Sequence, residues 1–172
     1  EILEVAAPDA EAKRKRVALV YCPDRAFLAP YMEAAFGSGT RVIVAEKLPQ
    51  AMPEGVESAI MISSTEIYAC REGRNIDETH PVDESSPWFA RESDFGTLCR
   101  DAGVPCAILR CAHVVGTGMT GFPMWLAVGI DAGWLVHVRG NDAAISVVHA
   151  IDTAAIAAIV SSKLLAGQTF EP

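Results

Sequence analysis

The sequence predicts an α/β domain built on a mainly parallel sheet. Three observations carry that prediction. Short apolar, β-branched runs alternate with helical stretches through most of the chain, the order that parallel strands with crossover helices require. Hydrophobic residues make up 51% of the sequence and the mean hydropathy is +0.24, as expected for strands buried on both faces. A length of 172 residues suits one domain with a full hydrophobic core.

The elements follow in order. Residues 1–14 are polar and Ala-rich and read as a tail or frayed helix. With the basic run that ends at Arg16 they set off a tail, 1–16, from a single domain, 17–172. Residues 17–22 are apolar and β-branched and predict the first strand. Residues 25–36 predict a helix, started by Pro23-Asp24 and stopped by Gly37, with Pro30 set to kink it or delay its start. Residues 41–45 predict a second strand, 47–55 a Pro-containing loop and 58–63 a third strand. Residues 70–86 form a charged loop. Residues 89–102 predict a helix ended by Gly103, with Pro105 behind it. Residues 106–110 predict a fourth strand, and 116–123 a Gly-rich loop before a short apolar helix, 123–132. Residues 134–138 and 144–148 predict two strands around the turn Arg139-Gly140-Asn141-Asp142. The last helix, 151–165, is apolar nearly all round and is expected to be buried.

Charge and cysteine usage exclude several function classes. The net charge is −8 and the pI is near 4.9, which argues against nucleic acid and anionic membrane as partners. No uncharged apolar run is long enough to span a bilayer. No signal peptide is visible. The five cysteines, Cys22, Cys70, Cys99, Cys106 and Cys111, form no CxxC pair, and no Cys/His cluster has metal-ligand spacing. Buried thiols in a reducing compartment are the expectation, and the protein is expected in the cytoplasm.

The motifs point further. The apolar run Ala59-Ile60-Met61-Ile62 leads into Ser63-Ser64-Thr65-Glu66-Ile67-Tyr68. A polar loop follows, Asp77-Glu78-Thr79-His80-Pro81, and then Ser86-Pro87-Trp88. Farther on stand Ile108-Leu109-Arg110-Cys111-Ala112-His113-Val114-Val115-Gly116 and Val147-Val148-His149-Ala150-Ile151-Asp152. In this order the pieces resemble the extended short-chain dehydrogenase/reductases, the NAD-dependent sugar epimerases and dehydratases. The resemblance covers residues 58–160 well and 17–46 weakly. It implies a Rossmann-like fold, a mainly parallel sheet flanked by helices. The front half is reduced, because only about a dozen residues join the second strand to the Ser-Ser segment where relatives carry further strand–helix units.

The same resemblance exposes what has been lost. A dinucleotide site needs glycines between its first strand and first helix. The matching stretch here is Tyr21-Cys22-Pro23-Asp24-Arg25-Ala26-Phe27-Leu28, with Cys22, Arg25 and Leu28 at the glycine positions. Arg25 is the one residue there suited to an anion. Glu46, just past the second strand, stands where such folds place an acid for the ribose hydroxyls, against the plain reading of a solvated loop residue. Ser64 matches the family's substrate-orienting Ser, and Tyr68 the tyrosine that ends its S-S-x-x-x-Y pattern. The catalytic Tyr position holds Trp88, which has no useful titratable proton. The Lys position holds Glu92, which reverses the charge; its plain reading is a solvent-facing helix residue paired with Arg91 or Arg100. His113 stands at the Asn of the family's distal loop and is a candidate acid/base or ligand-binding residue. Arg110, Gly116, His149 and Asp152 read as fold markers, Asp152 as the N-cap of the last helix.

Three functional readings remain at this point. The first is a degenerate family member that has lost the usual oxidoreduction and binds a small molecule or acts as a partner subunit, with NAD not bound in the usual way. The second is an active NAD-dependent nucleotide-sugar epimerase or dehydratase with rearranged residues, Ser64, Glu92 and His113. The third is an interaction protein that forms a homodimer through the helices near Phe89 and Ile151. A fragment of a longer protein is a further open reading, since the chain does not begin with Met and stops soon after its last helix.

Overall fold

The computed structural model describes residues 15–69, 77–119, 122–133 and 146–168. Its elements are β1 (Arg16–Tyr21), a 3₁₀ turn (Ala26–Leu28), α1 (Ala29–Phe36), β2 (Thr40–Ala45), β3 (Val56–Ser64), a second 3₁₀ turn (Thr65–Ile67), α2 (Pro87–Ala102), β4 (Cys106–Cys111), β5 (His113–Val115), α3 (Phe122–Asp131), β6 (Val147–His149) and α4 (Ala150–Leu165). A four-stranded sheet runs β2-β1-β3-β4, and a separate two-stranded sheet joins β5 to β6. Every pairing between these strands is parallel. The predicted α/β, Rossmann-like arrangement is the observed one. Residues 46–55 alone link β2 to β3, which is the reduced front half.

The pleat explains the layers. Alternate residues of one strand face opposite sides. Val20, Ile60 and Ile62 therefore pack with Leu28 and Met32 near α1 and with Ala154, Ala157 and Leu164 of α4. Leu19, Tyr21, Ala59 and Met61 pack on the other side with Phe95 and Cys99 of α2. Each large side chain sealed here, such as Phe95 or Leu19, contributes on the order of 1.5–3 kcal/mol. The two central strands, β1 and β3, are the most apolar because helices cover both of their faces.

Several boundaries differ from expectation, each for a local reason. Arg16, assigned to the tail, opens β1. The first helix starts late: Ala26–Leu28 is 3₁₀, and α1 begins at Ala29 with Pro30 in its first turn. Proline fits there because that N–H has no helical partner. α2 starts two residues early, at Pro87, because Ser86 caps it by accepting a hydrogen bond from the Trp88 N–H at 3.3 Å. Asp152 does not cap α4. The His149 ring nitrogen does, accepting from the Ile151 N–H at 3.2 Å. Asp152 lies in the first turn, where its charge meets the positive end of the helix dipole.

α4 is not buried all round. Ile151, Ile156 and Ile159 are 59%, 47% and 55% exposed, because only the face carrying Thr153, Ala154, Ala157, Val160, Ser161 and Leu164 meets the rest of the domain. The short strand β5 was not anticipated. Of the strand expected over 144–148, the described part is β6, which extends to His149. The strand expected over 134–138, the turn after it, Cys70 and residues 1–14 lie outside the described residues.

Candidate functional site

In an open parallel sheet, ligands sit at the carboxyl ends of the strands, where the strand order reverses. Here that place lies between β1 and β3. The chain leaves β1 through Cys22, whose N–H donates to the Ala45 carbonyl at 2.8 Å, and the Arg25 N–H returns to the Cys22 carbonyl at 3.2 Å. Asp24 takes the left-handed conformation at the corner (φ 58°), which Asp tolerates better than most residues. The turn is thus made without glycine.

Arg25 reaches across from this turn. Its Nη1 donates to the Ser63 carbonyl at the end of β3, 2.9 Å away. Its guanidinium lies 5.3 Å from the centre of the Trp88 ring, and that of Arg91 lies 4.9 Å from the same centre. Arg91 pairs with Asp24 at 2.9 Å. The indole N–H of Trp88 donates to Glu66 Oε2 at 3.2 Å. Burial lowers the Arg25 pKa, with Cys111 and Cys22 opposing the shift. Cys22 and Leu28, at the other two glycine positions, are fully buried in the core. Of these three residues, Arg25 is the one whose side chain reaches across the crevice. In the usual pose a pyrophosphate approaches bare backbone at such a turn, and here the Arg25 side chain lies across that approach. Glu46 stands exposed beyond β2 and takes no part in this cluster.

A second cluster lies beside the first. Ser63 and Arg110 are register partners on β3 and β4 and face the α2 side by the same alternation as Met61 and Ile108. Glu92 comes down on them from α2. Its Oε1 accepts from Ser63 Oγ at 2.6 Å and from Arg110 Nε at 3.1 Å. Its Oε2 accepts from Arg110 Nε at 3.3 Å and Nη2 at 2.8 Å. Glu92 is buried, not facing solvent, and its ion partner is Arg110 rather than Arg91 or Arg100. The hydrogen bonds to Glu92 raise the Arg110 pKa further above its ordinary value, against desolvation. Arg110 Nη1 also approaches Tyr68 Oη at 3.4 Å, and its guanidinium lies 5.3 Å from the Tyr68 ring centre.

The remaining sequence candidates have structural surroundings of their own. Ser64 Oγ accepts from the Glu66 N–H at 3.2 Å and so caps the 3₁₀ turn after β3. Ser64 and Ser63 project to opposite faces of the sheet. His113 opens β5, and its backbone N–H donates to the Ser146 carbonyl at 3.3 Å. Ser63 and the pairing of Arg110 were missed in the sequence. A signal existed: Glu92, Phe95 and Cys99 share the helical spacing of a buried stripe, which places Glu92 against the sheet.

Tyr68 and Arg110 also line a cleft of about 650 Å³ along the side of β4 away from β3. Cys106 and Leu109 contribute from the strand, and Ile156 and Val160 form a wall from α4. The guanidinium keeps N–H groups beyond those used on Glu92 and Tyr68. Three donors, Ser63 Oγ and Arg110 Nε and Nη2, hold the Glu92 carboxylate. Among the described residues, no group of His, Cys, Asp and Glu is placed to hold a metal, and no helix is long and apolar enough to cross a membrane.

The class defined by this fold is a parallel α/β domain of Rossmann-like topology. No family model matches the sequence, and no curated protein does. Among solved structures, the chain is similar to the capsular polysaccharide assembling protein CapF from Staphylococcus aureus, with a TM-score of 0.46 at 10% identity. The match covers 91% of this chain and 48% of that one, so the chain spans about half of that protein's length.

Proposed function

We propose that this chain is a shortened, degenerate relative of the extended short-chain dehydrogenase/reductases that binds a small molecule without oxidoreduction. The observation that carries this reading is the Arg25 side chain, laid across the β1–β3 crevice onto the Ser63 carbonyl. The locked Glu92–Arg110 pair, in place of a free Lys, supports it. The cleft beside β4 is the proposed ligand site. Arg110 and Tyr68 would meet its acidic or hydroxylated group, and Ile156 and Val160 its apolar side. The protein would act in the cytoplasm.

Titration with NADH, NAD and NADP tests the loss of redox function, by calorimetry and by Trp88 emission. No saturation at millimolar cofactor is expected. Binding tighter than about 100 µM, or roughly −5.5 kcal/mol, would overturn the proposal in favour of an active NAD-dependent nucleotide-sugar epimerase or dehydratase. Ile156→Trp tests the cleft. It should abolish any small-molecule hit found by NMR screening, while an unaffected hit would move the site elsewhere.

A partner role is the second reading, favoured by one observation. Ile151, Ile156 and Ile159 lie exposed on α4, a face suited to a second copy of the chain.

A further inference from the structure

Two thiols from different elements meet on the α2 side of the sheet. Cys99 lies one turn before the end of α2, and Cys106 opens β4. Gly103 ends the helix in the left-handed conformation (φ 65°), and the Val104 N–H returns to the Cys99 carbonyl at 3.0 Å. This closure reverses the chain next to Cys99 and delivers Cys106 beside it. Cys106 packs against the buried cluster that contains Cys99.

Their exposure differs in a useful way. Cys99 is sealed in the core with Tyr21, Met61 and Phe95. Cys106 is half-buried at the edge of that cluster and lines the cleft. One sulfur is thus reachable from solvent, and the other waits behind it. A thiol-to-thiol interaction with Cys99 lowers the Cys106 pKa and raises that of Cys99, so the reachable sulfur is also the readier thiolate. Cys22 is sealed in the other core cluster, and burial pushes its thiol up to about 12.

We propose that Cys99 and Cys106 form a modification site that a hydroperoxide closes to a reversible disulfide, with Cys106 attacking and Cys99 resolving. The Cys106 thiolate attacks the distal peroxide oxygen. The O–O bond breaks, an S–O bond forms, and the alkoxide or hydroxide leaves and takes a proton from solvent. Cys106 is then a sulfenic acid, oxidised by two electrons. The Cys99 sulfur attacks the Cys106 sulfur, the S–S bond forms, and the hydroxyl departs as water with the Cys99 proton. The product ties the end of α2 to the edge strand at the cleft.

The sequence makes the test direct. Arg100 separates the two cysteines, so trypsin places them on different peptides, one ending at Arg100 and the next at Arg110. The full chain is treated with equimolar hydrogen peroxide, alkylated under denaturing conditions and analysed by mass spectrometry. The expected result is a linked pair of these two peptides, lighter by two hydrogens and released by dithiothreitol. An unoxidised Cys106, a Cys106 sulfinic acid without the link, or links to other cysteines instead would each overturn the proposal. Cys99→Ala tests the division of labour, with circular dichroism as a folding control. Dimedone labelling of Cys106 should rise several-fold over the wild type, and equal labelling would sink the resolving role.

Discussion

Removal of the Glu92 carboxylate would strand the Arg110 guanidinium against Ser63 and Tyr68. The Glu92 side chain is 8% exposed and that of Arg110 25%. Glu92→Gln should therefore cost about 3 kcal/mol, the low end of the range for breaking a buried pair, since Arg110 keeps some water. Urea unfolding would read this as a lower midpoint at unchanged slope. A loss below about 1 kcal/mol would mean that the pair behaves like a surface one. Cys22 offers a second test, through pH. Desolvation is the main cause that holds its thiol up at about 12, with Arg25 opposing. The folded state binds this proton more tightly than the unfolded chain does. The contribution is complete below the unfolded thiol value of about 8.5 and is lost as pH rises toward the folded value. Cys22→Ala should flatten the fall in stability above about pH 9 relative to wild type. Equal slopes in the two proteins would refute the assignment.

At the scale of elements, the join between the small sheet and the main one depends on close approach. A methyl group at Gly116 would lie 2.8 Å from Ala150 Cβ and 3.2 Å from Tyr31 Oη. Tyr31 Oη in turn accepts from the Thr117 N–H at 2.9 Å. Gly116→Ala should therefore destabilise the domain by about 1–3 kcal/mol, as overpacking does, and loosen the contact between α1 and the loop after β5. Thermal unfolding checks the first effect, and hydrogen exchange at Thr117 the second. Unchanged values in both would show that α4 can yield at Ala150. The same scale explains why α2 and α4 start earlier than the sequence predicts. Ser86 and His149 each cap from one residue outside their helices. The apolar periodicity used to place those helices does not register such residues.

At the scale of the whole molecule, the cleft and the exposed side of α4 are the surfaces that offer contacts. A homodimer through α4 predicts that the wild-type protein sediments as a dimer and that Ile151→Lys with Ile159→Lys sediments as a folded monomer. A monomeric wild type at high micromolar concentration would remove this reading and leave the exposed isoleucines to another partner. Both surfaces flank a sheet whose strands β2 and β4 have neighbours on one side only among the described residues. The carboxyl-end crevice, by contrast, is filled by its own side chains.

The sequence by itself determined the class of fold, because alternating strand and helix patterns with doubly buried strands have few solutions other than a parallel α/β sheet. It also made Arg25, Trp88 and Glu92 visible as residues to examine. What those residues do was decided only in three dimensions. Arg25 meets Ser63 and Trp88, and Glu92 meets Arg110, across separations of 18 to 63 positions. Local periodicity reports which face of an element is buried. It does not say which distant side chain waits there, so a Glu expected in solvent became the centre of a buried ion pair. Cys99 and Cys106 stand close in sequence, yet their contact too depends on the helix-ending turn that folds one strand back beneath the other's helix.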